Sequence, residues 1–175
     1  AGVAEITPLL ESPLLNARLG GRVLIKAEVL QRTGSFKFRG AYNHVSRLSD
    51  EQKTRGVVAF SSGNHAQGVA AAAGLCGTQA TIVMPESAPS LKIANTRNLG
   101  ADVRLYGSDA KSREEIGEAL VAETGAELVR PYVNFWVIAG QGTVGLEIAR
   151  QCAERNATPD AVLVPAGGGG LIAGI

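Results

Sequence analysis

Cysteine is scarce in this 175-residue chain: Cys76 and Cys152 are the only two, and they lie far apart. Neither has a C-x-x-C partner or a neighbouring histidine, so no zinc site of the usual spacing is present, and no metal site is expected. Two isolated thiols in a chain this long predict reduced, buried cysteines in a cytoplasmic protein. A charge excess is also missing. With 17 Lys and Arg against 16 Asp and Glu, and no basic cluster, the net charge of +1 argues against nucleic acid or an anionic membrane as partner. No apolar run reaches the length of a membrane span, and the N-terminus has no signal-peptide pattern. Without such a signal, the sequon Asn156-Ala157-Thr158 reads as chance. Repeats, low-complexity tracts and linkers are absent as well.

What is present is a globular composition, 45% hydrophobic, with 22 glycines gathered in a few places. β-type runs at Arg22–Val29, Gly56–Phe60, Ala80–Met84, Ala101–Tyr106 and Ala161–Val164 predict short buried strands. Between them, helices are expected near Ser35–Leu48, Asn64–Cys76, Pro89–Leu99, Asp109–Thr124 and Gly142–Arg155. Ser90 and Ser108/Asp109 supply start signals; Gly77, Gly100 and Gly125 supply stops. Such alternation predicts an α/β fold, a parallel sheet covered by helices on both faces. The largest glycine cluster, Gly167 to Gly170, lies close to the last residue, which leads to the expectation that this is the front part of a longer protein.

Three places carry candidate chemistry. In Ser35-Phe36-Lys37-Phe38-Arg39-Gly40-Ala41, one lysine sits between two rings. Partial burial disfavours an ammonium, so Lys37 suits a nucleophile or base near neutral pH; the pattern equally fits a lysine whose stem covers apolar surface. The loop Ser61-Ser62-Gly63-Asn64-His65 follows a strand and opens a helix, where free backbone N–H groups suit a carboxylate. Simple capping by Ser62 or Asn64 needs only one such residue. His65 is a candidate acid/base, though a lone histidine beside a cap is more often structural. The glycines at 167–170 suit a phosphate nest. Gly168-x-Gly170-x-x-Ala173 also matches a dinucleotide fingerprint, which leaves a nicotinamide-dependent oxidoreductase as an alternative.

Together, SFKFRGA, SSGNHAQGVA and PAGGGGLIAGI resemble the serine/threonine dehydratase and serine racemase family of fold-type II pyridoxal-phosphate enzymes. Met84-Pro85, Ala88-Pro89 with Lys92, and Ala139-Gly140-Gln141-Gly142-Thr143 follow the same pattern. The resemblance covers essentially the whole chain. It implies that Lys37 binds pyridoxal 5'-phosphate as a Schiff base, that Phe36 packs on the pyridine face and that Asn64 bonds the cofactor's 3-oxygen. Gly167, Gly168, Gly169, Gly170 and Leu171 match the phosphate loop. Ser61, Ser62, Gly63, Asn64 and His65 match the loop receiving the substrate carboxylate. Arg113 resembles an arginine near the substrate in the racemase branch, and equally fits an exposed helix arginine.

The implied reaction is α,β-elimination of a hydroxy amino acid to a 2-oxo acid and ammonia, with Lys37 removing the α-proton. A serine at position 62 can serve as an acid/base on the opposite cofactor face, which keeps racemisation open; 3-hydroxyaspartate dehydration is a further family activity. The resemblance also implies a large domain from 1–47 and 134–175, incomplete here, and a small mobile domain from 48–133. A homo-oligomer, dimer or tetramer, is implied for the full-length protein. Two departures stand out. The C-terminal portion that supplies the pyridine-nitrogen partner and any metal-binding carboxylates is missing, which leaves a non-catalytic fragment as another alternative. Val133-Asn134-Phe135-Trp136 also replaces the polar or acidic residues usual in relatives.

Overall fold

The computed structural model describes residues 2–107 and 112–175. The chain opens with an antiparallel pair, β1 (Leu9–Glu11) and β2 (Leu24–Lys26), joined by α1 (Pro13–Leu19). Ser12 caps α1, Pro13 occupies its first turn, and Gly20 closes it at φ 67 in the left-handed region. Two short 3-10 turns then lead into α2 (Lys37–Val45), which begins at the lysine singled out above.

A four-stranded sheet follows, built from β3 (Val57–Phe60), β4 (Ala80–Pro85), β5 (Asp102–Tyr106) and β6 (Glu127–Leu128) in the order β5-β4-β3-β6. Every pairing in it is parallel. Helix α3 (Asp50–Arg55) leads into β3, and α4 (Asn64–Leu75), α5 (Ser90–Asn98) and α6 (Arg113–Thr124) connect the strands. Reciprocal capping boxes start two of them, Ser49 with Gln52 and Ser112 with Glu115. All four residues of β3 are buried, as a strand covered on both faces requires. Val57 and Ala59 join the alanines of α4 in the core, while Phe60 lies against Gly117 of α6. Two helices, α7 (Phe135–Glu154) and α8 (Gly170–Gly174), complete the chain.

The parallel α/β architecture is as expected, with differences in detail. β2 is shorter than Arg22–Val29 and partly exposed, because residues 28–30 turn into a 3-10 helix. Ala161–Val164 is not a strand. It has no ladder partner among the described residues, and Leu163 is 96% exposed. Helix α7 starts at Phe135, ahead of the expected Gly142, since Asn134 caps it by accepting from the backbone N–H groups of Trp136 and Val137. The start expected at Ser108/Asp109 lies outside the described residues. Among the described residues, no helix is long and apolar enough to cross a membrane.

Helix α2 is wedged between α4 and α7, and glycines make both contacts possible. A Cβ on Gly68 would meet the Phe38 nitrogen and the Lys37 carbonyl at 3.1–3.3 Å. Gly40 and Gly140 face each other where α2 crosses α7. The first turn of α2, with Lys37, is thus fixed from two sides.

Candidate active site

Lys37 is half-buried at the first position of α2. Its ammonium donates to the Pro131 carbonyl at 2.8 Å and lies 5.2 Å from the centre of the Phe36 ring. Burial holds its pKa below the ordinary lysine value, because the charged form loses hydration. Among the described residues no carboxylate pairs with it.

The loop after β3 brings Ser61, Ser62 and Gly63 to the start of α4. Gly63 is the N-cap residue and makes no side-chain cap, which leaves the first N–H groups of a 12-residue helix to an external acceptor. The Ser61 hydroxyl accepts from the Gly63 N–H at 3.2 Å. Asn64, the first helical residue, is exposed. Lys92, from α5, brings its ammonium to 3.7 Å from where a Gly63 Cβ would stand, adding positive charge at this loop.

His65 points the other way. It is 3% exposed, and its Nε2 lies 2.8 Å from the Val129 carbonyl. A carbonyl only accepts, so Nε2 carries the proton and Nδ1 is bare, without a hydrogen-bond partner among the described residues. Burial pushes its pKa from the ordinary 6.5 down to about 4, with the Lys37 and His44 charges adding to the depression and the Val129 hydrogen bond opposing it. A neutral, enclosed imidazole of this kind holds the 129–131 segment in place. It is a structural residue beside the lysine rather than an acid/base facing substrate.

A pH dependence follows. Below about pH 6.5 the unfolded chain takes up a proton on His65 that the folded chain refuses until about pH 4. Stability therefore falls as pH drops through that window, by roughly 2–3 kcal/mol between pH 7 and pH 4.5, and is unaffected by this group above it. Urea unfolding at the two pH values should show that loss shrinking in His65→Gln. An unchanged difference would rule the buried neutral imidazole out.

The glycine loop lies beside the same 129–132 segment. A Cβ on Gly168 would overlap the Tyr132 ring, and one on Gly170 would meet the Tyr132 backbone at 3.1 Å. Gly167 and Gly169 face open space, and Gly169 has φ 80, in the left-handed region. Gly170 opens α8, and Leu171 is buried beneath it. Residues 129–132 thus link three of the expected pieces, through Val129 to His65, Pro131 to Lys37, and Tyr132 to the glycine loop. Sequence reasoning missed Pro131 and Tyr132, because a backbone carbonyl and a packing ring leave no motif.

Arg113 begins α6 with its guanidinium 6.0 Å from the centre of the Phe60 ring, one residue before Ser61. It is exposed, and pairs with Glu114 at 2.9 Å. That hydrogen bond is the main cause of its raised pKa.

Comparison with known proteins gives this arrangement a family. The chain belongs to the family described as "Pyridoxal-phosphate dependent enzyme", whose profile matches residues 2–175. It is 51% identical over 168 residues to an L-threo-3-hydroxyaspartate ammonia-lyase of Saccharomyces cerevisiae, covering 96% of this chain and 50% of that one. It is 50% identical over 173 residues to an L-threonine ammonia-lyase of Thermotoga maritima, covering 99% and 42%. Among solved structures, a threonine deaminase from T.th. superposes with a TM-score of 0.92 at 51% identity, covering 98% of this chain and 54% of that one. Maize serine racemase gives 0.92 at 41%, covering 98% and 51%. The chain spans about half the length of the curated relatives it matches.

The residues present fit that cofactor. A half-buried amine with lowered pKa suits an aldehyde, and the backbone at Gly167 and Gly169 is open where a phosphate needs close approach.

Proposed function

We propose that the protein catalyses α,β-elimination of a hydroxy amino acid, giving a 2-oxo acid and ammonia, in the manner of a threonine/serine dehydratase. The observation that carries this is the setting of Lys37: a half-buried amine held by the Pro131 carbonyl, two residues from the Val129 carbonyl that His65 of the Ser61–His65 loop holds. Threonine and 3-hydroxyaspartate ammonia-lyases at about half identity support the reaction class. When bound, pyridoxal phosphate supplies the aldehyde for the lysine and a ring that takes up the electron pair left on the substrate α-carbon.

This chain's residues do the rest. Lys37 holds the cofactor and, once released, takes the α-proton at Nζ. The N–H groups at the start of α4, with Ser61, Ser62 and Asn64, receive the substrate carboxylate. Phe36 flanks the lysine, and Gly167–Gly170 with Leu171 receive the phosphate. Arg113, beside Phe60, is placed to turn toward substrate if it leaves Glu114. Ser62, in the same loop, is the second proton carrier in the alternative reading, racemisation at the same site.

Three further assignments belong to this reading. Residues 48–133 form a small domain that closes against 1–47 and 134–175; the sheet β3–β6 with α3 to α6 falls within the first range. The protein is a cytoplasmic enzyme, which agrees with free Cys76 and Cys152. It works as a homo-oligomer, which would cover exposed side chains such as Leu14, Val29 and Phe135.

The test is borohydride reduction after incubation with pyridoxal phosphate, followed by peptide mapping. An adduct confined to Lys37 and lost in Lys37→Ala is expected, with ammonia released from L-threonine, L-serine or 3-hydroxyaspartate. Scattered surface labelling without ammonia release would sink the reading.

A further inference from the structure

Helix α2 starts without a cap of its own. Phe36, at the N-cap position, has helical dihedrals and a side chain that cannot accept a hydrogen bond. Its carbonyl accepts from the Arg39 N–H at 3.0 Å, in a tight 3-10 step. The next donor, the Gly40 N–H, bonds out of the helix to the side-chain carbonyl Oε1 of Gln141 at 3.1 Å. Gln141 is 1% exposed on α7, and 101 residues separate the two partners. There is no room for a side chain between them: a Cβ on Gly40 would stand 2.5 Å from Gln141 Nε2 and 2.6 Å from the Val137 carbonyl. On another side, Gly68 of α4 closes on the Lys37 carbonyl.

We propose that Gln141 is a positioning residue for Lys37, capping the first turn of α2 from the neighbouring helix and so fixing the backbone from which the lysine amine reaches its working place. Burying an amide whose Nε2 finds no partner among the described residues costs free energy, and an apolar residue of similar size would avoid that cost. The amide oxygen is what an apolar residue cannot supply. Arg39 fixes the outer part of the same turn, but its bonds go to Glu28 and Glu147 and leave the Gly40 N–H to Gln141.

The proposal rests on Lys37 being the cofactor lysine, and its test uses the natural protein with Gln141→Met and Gln141→Glu. Methionine keeps the length and removes the acceptor; glutamate keeps an acceptor oxygen, protonated or not. One neutral hydrogen bond corresponds to about tenfold. In Gln141→Met the Kd for pyridoxal phosphate by equilibrium dialysis should therefore rise about tenfold and kcat fall by about as much, with KM within about twofold. Hydrogen exchange of the Gly40 amide should speed up by a similar factor, independently of cofactor. Gln141→Glu should recover most of all three. Val144→Ala, a buried cavity variant on the same helix, serves as the control for lost stability alone.

The proposal is overturned if Gln141→Met matches the parent, if Gln141→Glu does no better than Gln141→Met, or if Val144→Ala reproduces the losses at an equal urea midpoint. A parent without an adduct at Lys37 would bring down the functional reading and this proposal together. A labelled parent with an unchanged Gln141→Met brings down the positioning role alone.

Discussion

Replacing Arg39 with methionine is expected to lower the free energy of unfolding by about 3–5 kcal/mol, since it removes one partner from a buried ion cluster. Arg39 is 3% exposed. Its guanidinium holds Glu28 in a bidentate pair at 2.8 Å and Glu147 at 2.6 and 2.9 Å, and also donates to the Thr143 hydroxyl and the Glu5 carbonyl. Lys26 meets Glu147 at 2.6 Å from the other side. The cluster holds two cations and two anions, so it is neutral as built. Among the described residues the substitution leaves Glu147 with Lys26 and leaves Glu28 without a cation, held only by the Thr7 hydroxyl. Burial tends to raise the Glu147 pKa, yet hydrogen bonds from Arg39 and Lys26 hold it below the ordinary range; without Arg39 that carboxyl should titrate at higher pH.

Those four side chains come from β2, the turn after it, α2 and α7, so the cluster ties the N-terminal pair of strands to the helices that frame Lys37. Urea unfolding checks the prediction. Arg39→Lys should fall between parent and methionine, because it keeps the charge and loses the two-pronged geometry. Arg39→Met combined with Glu28→Gln should recover part of the loss by removing a stranded charge. If Arg39→Met costs less than about 1 kcal/mol, as an exposed pair would, the cluster is not desolvated as its burial indicates.

The sheet was legible where local chemistry and tertiary structure agree. β3 and β4 are apolar runs bounded by turns, β5 is an edge strand with Asp102 and Arg104 exposed around a buried Val103, and α4, α5 and α6 end at Gly77, Gly100 and Gly125, all with positive φ. Legibility failed where one residue type has two uses. Gly140 and Gly142 look like breaks, and local pattern alone therefore points to a helix start at Gly142; they are mid-helix residues that let other backbones approach. Ala161–Val164 is apolar enough for a strand, but a strand also needs a neighbour. The capping box of α3, Ser49 with Gln52, is present in the sequence, but the helix it starts is short and polar, with no apolar period to announce it.

The site divides in the same way. Lys37, the Ser61–His65 loop and Gly167–Gly170 announce themselves because each is a local cluster of unusual residues. Pro131 and Gln141 do not. They act on Lys37 and Gly40 across 94 and 101 positions, through a main-chain oxygen and an ordinary amide. Arg39 stands inside a quoted motif, yet nothing local indicates that its partners are Glu28 and Glu147.

Gly140→Ala is expected to destabilise the protein by about 3 kcal/mol or more, against the usual gain from replacing glycine within a helix. The added methyl would stand 2.6 Å from both the Arg39 carbonyl oxygen and the Gly40 Cα, and 2.9 Å from the Arg39 carbonyl carbon. All three are backbone atoms of α2, so relief requires moving one helix away from the other. That movement would loosen Phe38, Ala41, Val45 and Val137, which share the main core, and would stretch the Gly40–Gln141 hydrogen bond. Gly74 in α4 is the matching control. A Cβ there would meet only the Leu99 carbonyl, at an ordinary 3.8 Å. Gly74→Ala should therefore stabilise by about 0.5–1 kcal/mol, the propensity gain alone. Opposite signs for the two substitutions in parallel urea titrations would show that the α2–α7 crossing depends on close backbone approach. Two small changes of the same sign would show that α7 can shift, and that Gln141 is free to shift with it.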